Sequence, residues 1–309
     1  MLKNSISKKI FLIMSCLFIL FILYLFPKKE EITPLNETER NANQASIYLI
    51  DNNKYVSRVS VIIGAKEKLA KAREIISYLT RNSPNANYIK EGFAPILPKN
   101  TKVLSIDLND DLLKINFSKE FYNITEENED KMLSSLIFSL TSIEGINKIS
   151  IYVEDSILNA LPHSKKPLLP TLDRSYGINK TYDVTKVKGI TNTTVYYLSK
   201  YKDYYYYVPV TMVNNEKKDK MEIIIKELTS KTMYQTNLIS YLNNAKQINY
   251  ELTDEYLLIK LNNELYRDLN DNHLMETVIY SINLSISENF DIKTVMYMNE
   301  SLIFDTYFL

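Results

Sequence analysis

The chain has 309 residues, 45% of them hydrophobic, which is enough for two ordinary domains with real cores and excludes a disordered protein. Its 37 basic and 37 acidic residues give a formal net charge of zero, so nothing favours nucleic acid or an anionic membrane surface as a partner. Cys16 is the only cysteine, so the chain after it forms no internal disulfide and depends on packing for its stability.

An uncharged stretch of 17 residues, from Ile10 to Phe26, predicts a transmembrane helix. At about 1.5 Å per residue it spans about 25 Å, just enough for the core of a bilayer. Lysines precede it at positions 3, 8 and 9, whereas the charges that follow it cancel. The positive-inside rule therefore places residues 1–9 in the cytoplasm as a short stub and the remaining chain outside the cell membrane.

Cys16 leaves a second interpretation of the same stretch open. Ile13-Met14-Ser15-Cys16 resembles a lipobox, in which Cys16 is lipidated after cleavage of the preceding residues. Met14 is unusual there, however, and ten apolar residues continue past Cys16, whereas a lipobox cysteine normally ends the apolar region. The sequence therefore favours an uncleaved single-span anchor at residues 10–26 over lipidation.

Residues 27–44 are polar and predict a tether, and a first domain follows at residues 45–156. Thr125 is the expected N-cap of its second helix, with Glu126, Glu127 and Glu129 in the first helical turn. The predicted elements are strands at 47–50 and 55–63, a helix from 69 to near 82, a hairpin of strands 103–108 and 112–117, a helix up to Gly145, and a strand at 149–153.

The same order of elements returns after a proline-containing linker at residues 157–192, in a second domain at residues 193–309. Asn215 and Asp271 are the expected N-caps of its two helices. The predicted strands lie at 195–198, 204–212, 247–252, 256–261 and 294–298, with an additional one at 301–309. The sequence therefore predicts an α+β protein of two tandem domains, each with the order β-β-α-β-β-α-β.

The two hairpins make the duplication visible. The first reads LPKNTKVLSIDLNDDLLKINFSKEFY from residue 97, and the second reads AKQINYELTDEYLLIKLNNELY from residue 245. Each has an acidic turn between alternating strands and ends in an acidic and aromatic tail. Packing positions recur while no reactive group does, which favours a scaffold or binding module over an enzyme.

Candidate chemical groups are few. The two histidines, His163 and His273, do not occupy equivalent positions, and neither has a second ligand at metal-binding spacing, so no metal or other cofactor is expected. Glu120 and Glu264 recur at the same place after the second hairpin strand. They fit a bond to the following loop or helix start, with a polar contact to a partner as the alternative.

A run of four tyrosines, Tyr204, Tyr205, Tyr206 and Tyr207, is the most unusual local sequence. Alternate side chains of a strand face opposite ways, so two tyrosines are expected to face the core and two to face outward. An exposed tyrosine surface suits a protein interface or a glycan platform. High β-propensity in a tyrosine-rich protein explains the run equally well.

The first hairpin also resembles the signature of the GerMN domain. Leu97-Pro98-Lys99-Asn100-Thr101-Lys102-Val103 is similar to the strand entry of that family, and Ile115-Asn116-Phe117-Ser118-Lys119-Glu120-Phe121 to its strand exit. The resemblance covers residues 45–156 and 193–309 and is weaker in the second copy. The chain departs from the family in two features. The glycine that ends the first helix is absent from both domains, and the sequence around Cys16 matches a lipobox poorly.

The resemblance implies tandem GerMN domains with a core like the ring-building motif, behind a membrane anchor of a spore-forming bacterium. It also implies a non-catalytic role in sporulation or germination, in assembling or stabilising the envelope-spanning complex of the SpoIIIA and SpoIIQ proteins. A homo-oligomer is compatible with that motif. The alternative is a cell-wall module that binds peptidoglycan or another glycan through the tyrosine surface.

Overall fold

A computed structural model describes residues 44–184, 188–215, 219–230, 238–240, 242, 248–271 and 274–309. The described residues do not include the predicted membrane span, Cys16, the tether up to residue 43 or His273. None of the helices within these ranges combines the length and the apolarity needed to cross a bilayer. The structure therefore concerns the two domains and the segment between them.

The first domain contains seven strands and two α-helices. Its strands are β1 (Gln44–Asp51), β2 (Val56–Ile62), β3 (Phe93–Ala94), β4 (Val103–Asn109), β5 (Leu112–Phe117), β6 (Lys148–Val153) and β7 (Ser156–Ile157). Its helices are α1 (Lys68–Leu79) and α2 (Glu126–Leu140). The apolar stripes predicted for both helices are buried, among them Ile75, Ile76, Leu136 and Leu140.

The second domain repeats this plan with one additional helix. A linking strand, β8 (Thr181–Asp183), precedes it. Its own strands are β9 (Thr191–Tyr201), β10 (Tyr204–Asn214), β11 (Asn249–Leu252), β12 (Tyr256–Leu261), β13 (Thr294–Asn299) and β14 (Leu302–Phe308). Its helices are α3 (Lys220–Thr229), α4 (Asn263–Asp271) and α5 (Met275–Asn289).

Two four-stranded sheets confirm the duplication. Their orders are β4-β5-β6-β7 and β11-β12-β13-β14, and in both the outer pairs are antiparallel while the central pair is parallel. Ile115 and Ile259 occupy equivalent central strands and are fully buried. The predicted hairpins are therefore the first two strands of each sheet.

A third sheet joins the two domains and was not predicted. It has six strands in the order β3-β1-β2-β10-β8, with β9 also paired to β10. Strand β10 pairs with β2 at Tyr207 opposite Arg58, and it pairs in parallel with β8. The first two strands of each domain thus meet in one sheet, and the predicted linker supplies a strand to it.

Several predicted helix ends are corrected by the structure. Helix α1 ends at Leu79 instead of near Asn82, because Thr80 is extended and bridges Leu97. Thr125 does stand at the N-cap of α2, but its hydroxyl accepts from the Asn128 side chain instead of the helix backbone. Asp219, and not Asn215, caps α3 by accepting from the N–H of Met221 at 3.2 Å.

The predicted cap of the last long helix is also wrong. Asp271 is the final residue of α4, and α5 begins four residues later with Leu274 at its N-cap position. The sequence pattern did not predict α4, because this helix contains few apolar residues. Both Leu265 and Leu269 of α4 are nevertheless buried against the core.

Serine side chains seal the outer edge of the first strand in each domain. In the first domain, Ser139 Oγ accepts from the N–H of Tyr48 at 2.8 Å, and Ser135 donates to the Tyr48 carbonyl at 2.5 Å. In the second domain, Ser285 Oγ accepts from the N–H of Tyr196 at 2.9 Å, and Ser281 donates to its carbonyl at 2.5 Å. Each helix therefore satisfies backbone groups that an unpaired strand edge would leave buried without partners.

We expect Ser139→Ala and Ser285→Ala each to lower the free energy of unfolding by about 1–3 kcal/mol, because each leaves a buried backbone N–H without an acceptor. Denaturant unfolding followed by circular dichroism measures the change. Ser287→Ala is the matched control, since Ser287 is an exposed serine that bonds only within α5. Equal effects of all three substitutions would show that the serines do not seal the edges.

Candidate functional site: the junction between the domains

The tyrosine run lies on β10, where the two domains meet. Tyr206 and Tyr207 are only 2% and 4% exposed, and Tyr204 and Tyr205 are half-buried. The expectation that two of them face solvent is therefore wrong. Both faces of β10 are covered, because Phe93 of the first domain packs against Tyr206 at a ring-centroid distance of 4.9 Å and Tyr280 of α5 packs against Tyr207 at 5.1 Å.

A buried carboxylate links Tyr206 to the first domain. Asp51 accepts from the hydroxyls of Tyr206 at 3.0 Å and Ser57 at 2.8 Å, and from the backbone N–H groups of Asn53 and Tyr55. Burial raises the pKa of Asp51, while these hydrogen bonds act against that rise. Burial and the neighbouring Asp51 carboxylate raise the pKa of Tyr206, so its hydroxyl stays protonated and donates a hydrogen bond to Asp51.

The tip of the β9–β10 hairpin contacts a loop of the first domain through hydrogen bonds and an ion pair. The Tyr204 hydroxyl donates to the Glu91 carbonyl, and Lys202 pairs with the Glu91 carboxylate at 2.7 Å. The next residue, Gly92, has a φ of +94°, and a Cβ there would lie 2.9 Å from the Tyr201 ring. Glycine is therefore required at this contact both by conformation and by space.

Asn179, from the segment between the domains, bridges β2 and β10. Its side-chain nitrogen donates to the carbonyls of Val56 at 2.8 Å and Pro209 at 2.7 Å, while its side-chain oxygen accepts from the Val56 N–H. Pro209 has no N–H to offer a neighbouring strand. The Asn179 amide therefore supplies the hydrogen bonds where direct pairing of the two strands stops.

A polar cluster occupies the centre of the junction. The hydroxyls of Tyr48, on β1, and Tyr196, on β9, lie 2.8 Å apart. Arg174, from the segment between the domains, donates to Tyr48 at 3.1 Å and forms two 2.6 Å hydrogen bonds to the Glu288 carboxylate. We call these four residues the junction cluster. The cluster joins both domains and the segment between them through one buried hydrogen bond and several partly buried ones.

Charge and burial hold two members of the junction cluster, Arg174 and Tyr196, in one protonation state. Burial alone would lower the pKa of Arg174, but the adjacent Glu288 raises it overall, so the guanidinium stays charged. Burial raises the pKa of Tyr196, so its hydroxyl stays neutral. The Arg174 guanidinium also lies 4.3 Å from the ring centroid of Phe138. A bidentate pair with an aromatic support has a defined geometry, which suits a contact that sets domain orientation.

The segment between the domains is anchored a second time through Glu129. This buried carboxylate accepts from the backbone N–H groups of His163 at 2.8 Å and Ser164 at 3.0 Å. Burial would raise the pKa of Glu129, but these hydrogen bonds outweigh it and lower the pKa. The His163 ring contacts the Ile124 carbonyl at 2.5 Å through Nε2. His163 thus serves to fasten the linker to the first domain.

The recurrent glutamates lie away from the junction. Glu120 is in a short 3-10 turn at Lys119–Asn123, and hydrogen bonds from the Ser118 hydroxyl and its own backbone N–H lower its pKa. Glu264 is exposed in the first turn of α4. The arrangement of Glu120 agrees with a local bond after the strand, and a partner contact by either residue stays a prediction. Within the described ranges, no three His, Cys, Asp or Glu side chains gather in a way that could hold a metal ion.

The sequence did not predict the junction cluster, nor the serine side chains that hydrogen-bond to the edges of β1 and β9. One signal was present, because serines four residues apart recur at 135 and 139 and again at 281 and 285, inside buried helical stripes. Tyr48 and Tyr196 also occupy equivalent places on the first strand of each copy. Nothing local, however, marks Arg174 as their shared partner.

Comparison with known proteins agrees with this duplicated architecture. Residues 46–159 match the family model described as Germane, sporulation and spore germination. The spore germination protein GerM of Bacillus subtilis (strain 168) is 30% identical over 267 residues, which cover 82% of this chain and 72% of that protein. The chain belongs to the GerM family.

The structural comparison extends the GerM resemblance to both domains. The solved tandem GerMN domains of the sporulation protein GerM from Bacillus subtilis align with a TM-score of 0.71 and 26% identity. The alignment covers 83% of this chain and 90% of that structure. The GerM-family chain therefore has a mixed α+β fold of two tandem GerMN domains, as the resemblance of the first hairpin predicted.

We expect Arg174→Ala to lower the free energy of unfolding by about 1.5–3 kcal/mol, the cost of losing hydrogen bonds to a charged group. The pair is partly buried, with side chains 28% and 8% exposed, and Glu288 keeps only the hydrogen bond from the Tyr196 hydroxyl. The two domains should then unfold in separate calorimetric transitions. Lys202→Ala is the matched control, since it breaks an exposed ion pair between the same domains. It should leave the melting profile unchanged, and similar profiles for both variants would contradict the role of the junction cluster.

Proposed function

We propose that this GerM-family protein acts in sporulation or germination as a membrane-anchored, non-catalytic scaffold outside the cytoplasm. Residues 10–26 hold it in the membrane as a single span, and the two GerMN domains take part in assembling or stabilising an envelope-spanning complex. The family membership supports the sporulation role, since the curated relative is named a spore germination protein. The charge distribution around residues 10–26 supports the orientation.

The contacts at the junction between the two domains support the proposal that the protein is a scaffold. Its buried contacts are the shared sheet, the junction cluster and the bond from Tyr206 to Asp51, and all of them cross between the domains. A pair of domains fixed in this way offers partners one preformed surface, so less orientational freedom is lost when a complex forms. Tandem domains on a flexible linker would not have this advantage.

The partners that the family resemblance implies are envelope proteins of the SpoIIIA and SpoIIQ type. Binding of a glycan through the tyrosine run has less support than the sequence indicated, because Tyr206 and Tyr207 are buried inside the chain. The half-buried Tyr204 and Tyr205 also have neighbours within the chain, namely Glu91 for Tyr204 and Lys200 for Tyr205. We therefore propose protein assembly and no cofactor.

The assembly role predicts a specific result in sporulating cells. Crosslinking of the full-length protein, followed by its purification, should recover SpoIIIA and SpoIIQ proteins during sporulation. Arg174→Ala should reduce this recovery several-fold at equal protein abundance, because the fixed domain arrangement is lost, whereas Lys202→Ala should not.

Three outcomes would contradict the proposed function. Sedimentation of the full-length protein with purified peptidoglycan, together with no crosslink to either envelope protein, would favour the cell-wall module. Expression in vegetative growth and its absence in sporulation would remove the family role. Detectable hydrolysis of peptidoglycan would indicate an enzyme.

A further inference from the structure

A cleft of about 490 Å³ lies between the first domain and the segment that joins the two domains. The β1–β2 turn and the first turns of α2 line it on one side, and residues 166–182 of the joining segment contribute the rest of the lining. Its volume lies within the range of sites for small molecules. The charged residues of the lining are Lys54, Lys131, Lys166, Lys180, Glu127 and Asp130. The lining therefore has an excess of two positive charges.

One of the two carboxylates, Asp130, is already paired within the chain. Its Oδ1 lies 2.9 Å from the Lys180 ammonium and accepts from the Tyr176 hydroxyl at 2.6 Å. The Lys180 ammonium also lies 3.8 Å from the ring centroid of Tyr176, and the Lys180 side chain is only 13% exposed. The charges of Lys180 and Asp130 therefore cancel, and these contacts hold the joining segment against α2.

The other three lysines are not compensated in this way. Within the part of the chain that the structure describes, the ammonium groups of Lys54, Lys131 and Lys166 have no ion-pair or hydrogen-bond partner. The second carboxylate of the lining, Glu127, is exposed and stands one helical turn before Lys131. Like charges that gather around one cleft repel one another, so an anion bound among these lysines lowers the free energy.

Two tyrosines of the lining add neutral hydroxyl groups. Tyr55 is half-buried, and Tyr182, on β8, is 69% exposed. Burial raises the pKa of both tyrosines, and the nearby carboxylates of Asp51 and Asp130, respectively, raise it further. Both hydroxyls therefore keep their protons at neutral pH and are able to donate to an anion.

A phosphate monoester suits this lining better than a carboxylate does. It carries nearly two negative charges at neutral pH and has three strong acceptor oxygens, so it matches the excess of two positive charges. Lysine binds phosphate as a point charge, whereas the planar fork of arginine gives the most specific contact with a carboxylate. No arginine is present among the described residues that line this cleft.

We propose that this cleft is a binding site for a small phosphate monoester. Lys54, Lys131 and Lys166 supply the positive charge that the phosphate neutralises, and the Lys180–Asp130 pair keeps the two sides of the cleft together. Because the three lysines come from the first domain and from the joining segment, a bound phosphate also links these two parts of the chain. Ligand binding goes beyond the proposed scaffold function and does not depend on it.

Saturation-transfer proton NMR of the full-length protein in a neutral detergent tests the proposal with two methyl esters. Methyl phosphate carries two charges at about pH 8, whereas methyl sulfate has nearly the same shape and a single charge. We expect methyl phosphate to bind saturably and at least about threefold more tightly than methyl sulfate, because its second charge adds an interaction of the size of an exposed ion pair. A salt concentration of about 0.15 M screens charges more than about 8 Å away.

Substitutions locate the binding. Lys131→Gln and Lys166→Gln remove one charge each, from α2 and from the joining segment, and each should weaken binding of methyl phosphate about threefold. The melting temperature without ligand should not change, because neither ammonium has a partner in the described part of the chain. Lys165→Gln is the matched control, since the Lys165 ammonium donates to the Pro162 carbonyl and is not part of the cleft lining.

Three results would each overturn the phosphate site. These are the absence of saturable binding, equal binding of the two esters, and cleft variants that bind methyl phosphate no more weakly than Lys165→Gln does.

Discussion

The contact between Tyr48 and Tyr196 is the interaction on which the described structure depends. Their hydroxyls lie 2.8 Å apart at the centre of the molecule, and Arg174 brings the Glu288 carboxylate to the same place. Polar groups this deeply buried are stable only if all their hydrogen bonds are made. The first domain supplies Tyr48, the second supplies Tyr196 and Glu288, and the segment between them supplies Arg174, so each domain alone would leave its tyrosine without the other hydroxyl.

The same constraint explains the neighbouring features. The six-stranded sheet brings β1 and β9 into one layer, and the serines of α2 and α5 satisfy the outer edges of those strands. The buried apolar side chains consequently form one core that runs through both domains. The segment at residues 157–192 is part of this body, since Arg174, Asn179 and β8 all lie in it.

Features with a local cause could be predicted from the sequence. The hairpins followed from alternation around acidic turns, and α1 and α2 followed from apolar spacing. The entry and exit of the first hairpin were sufficient to indicate the GerMN family. Helix ends were less accurate, because the end of α1 depends on a bridge from Thr80 to Leu97 and the cap of α3 on Asp219.

The junction could not be predicted in this way, because its contacts have no local signal. Tyr48 and Tyr196 are 148 residues apart, and Tyr206 and Asp51 are 155 apart. The tyrosine run was expected to be partly exposed, since strand periodicity assigns alternate residues to opposite faces. Periodicity does not say what covers each face, and here both faces are covered by the other parts of the chain. The tyrosine run of the second GerMN domain is thus part of its contact with the first.

A measured distance between the two domains tests whether they form one fixed unit. Spin labels at Asn109→Cys, the exposed last residue of β4, and at Asp254→Cys, in the exposed turn of the equivalent hairpin, report it by pulsed electron resonance once Cys16 is replaced by serine. A junction locked by Tyr48, Tyr196, Arg174 and Glu288 predicts a single narrow distance distribution, which Arg174→Ala broadens. A broad distribution in the protein with Arg174 intact would contradict a fixed arrangement of the two domains.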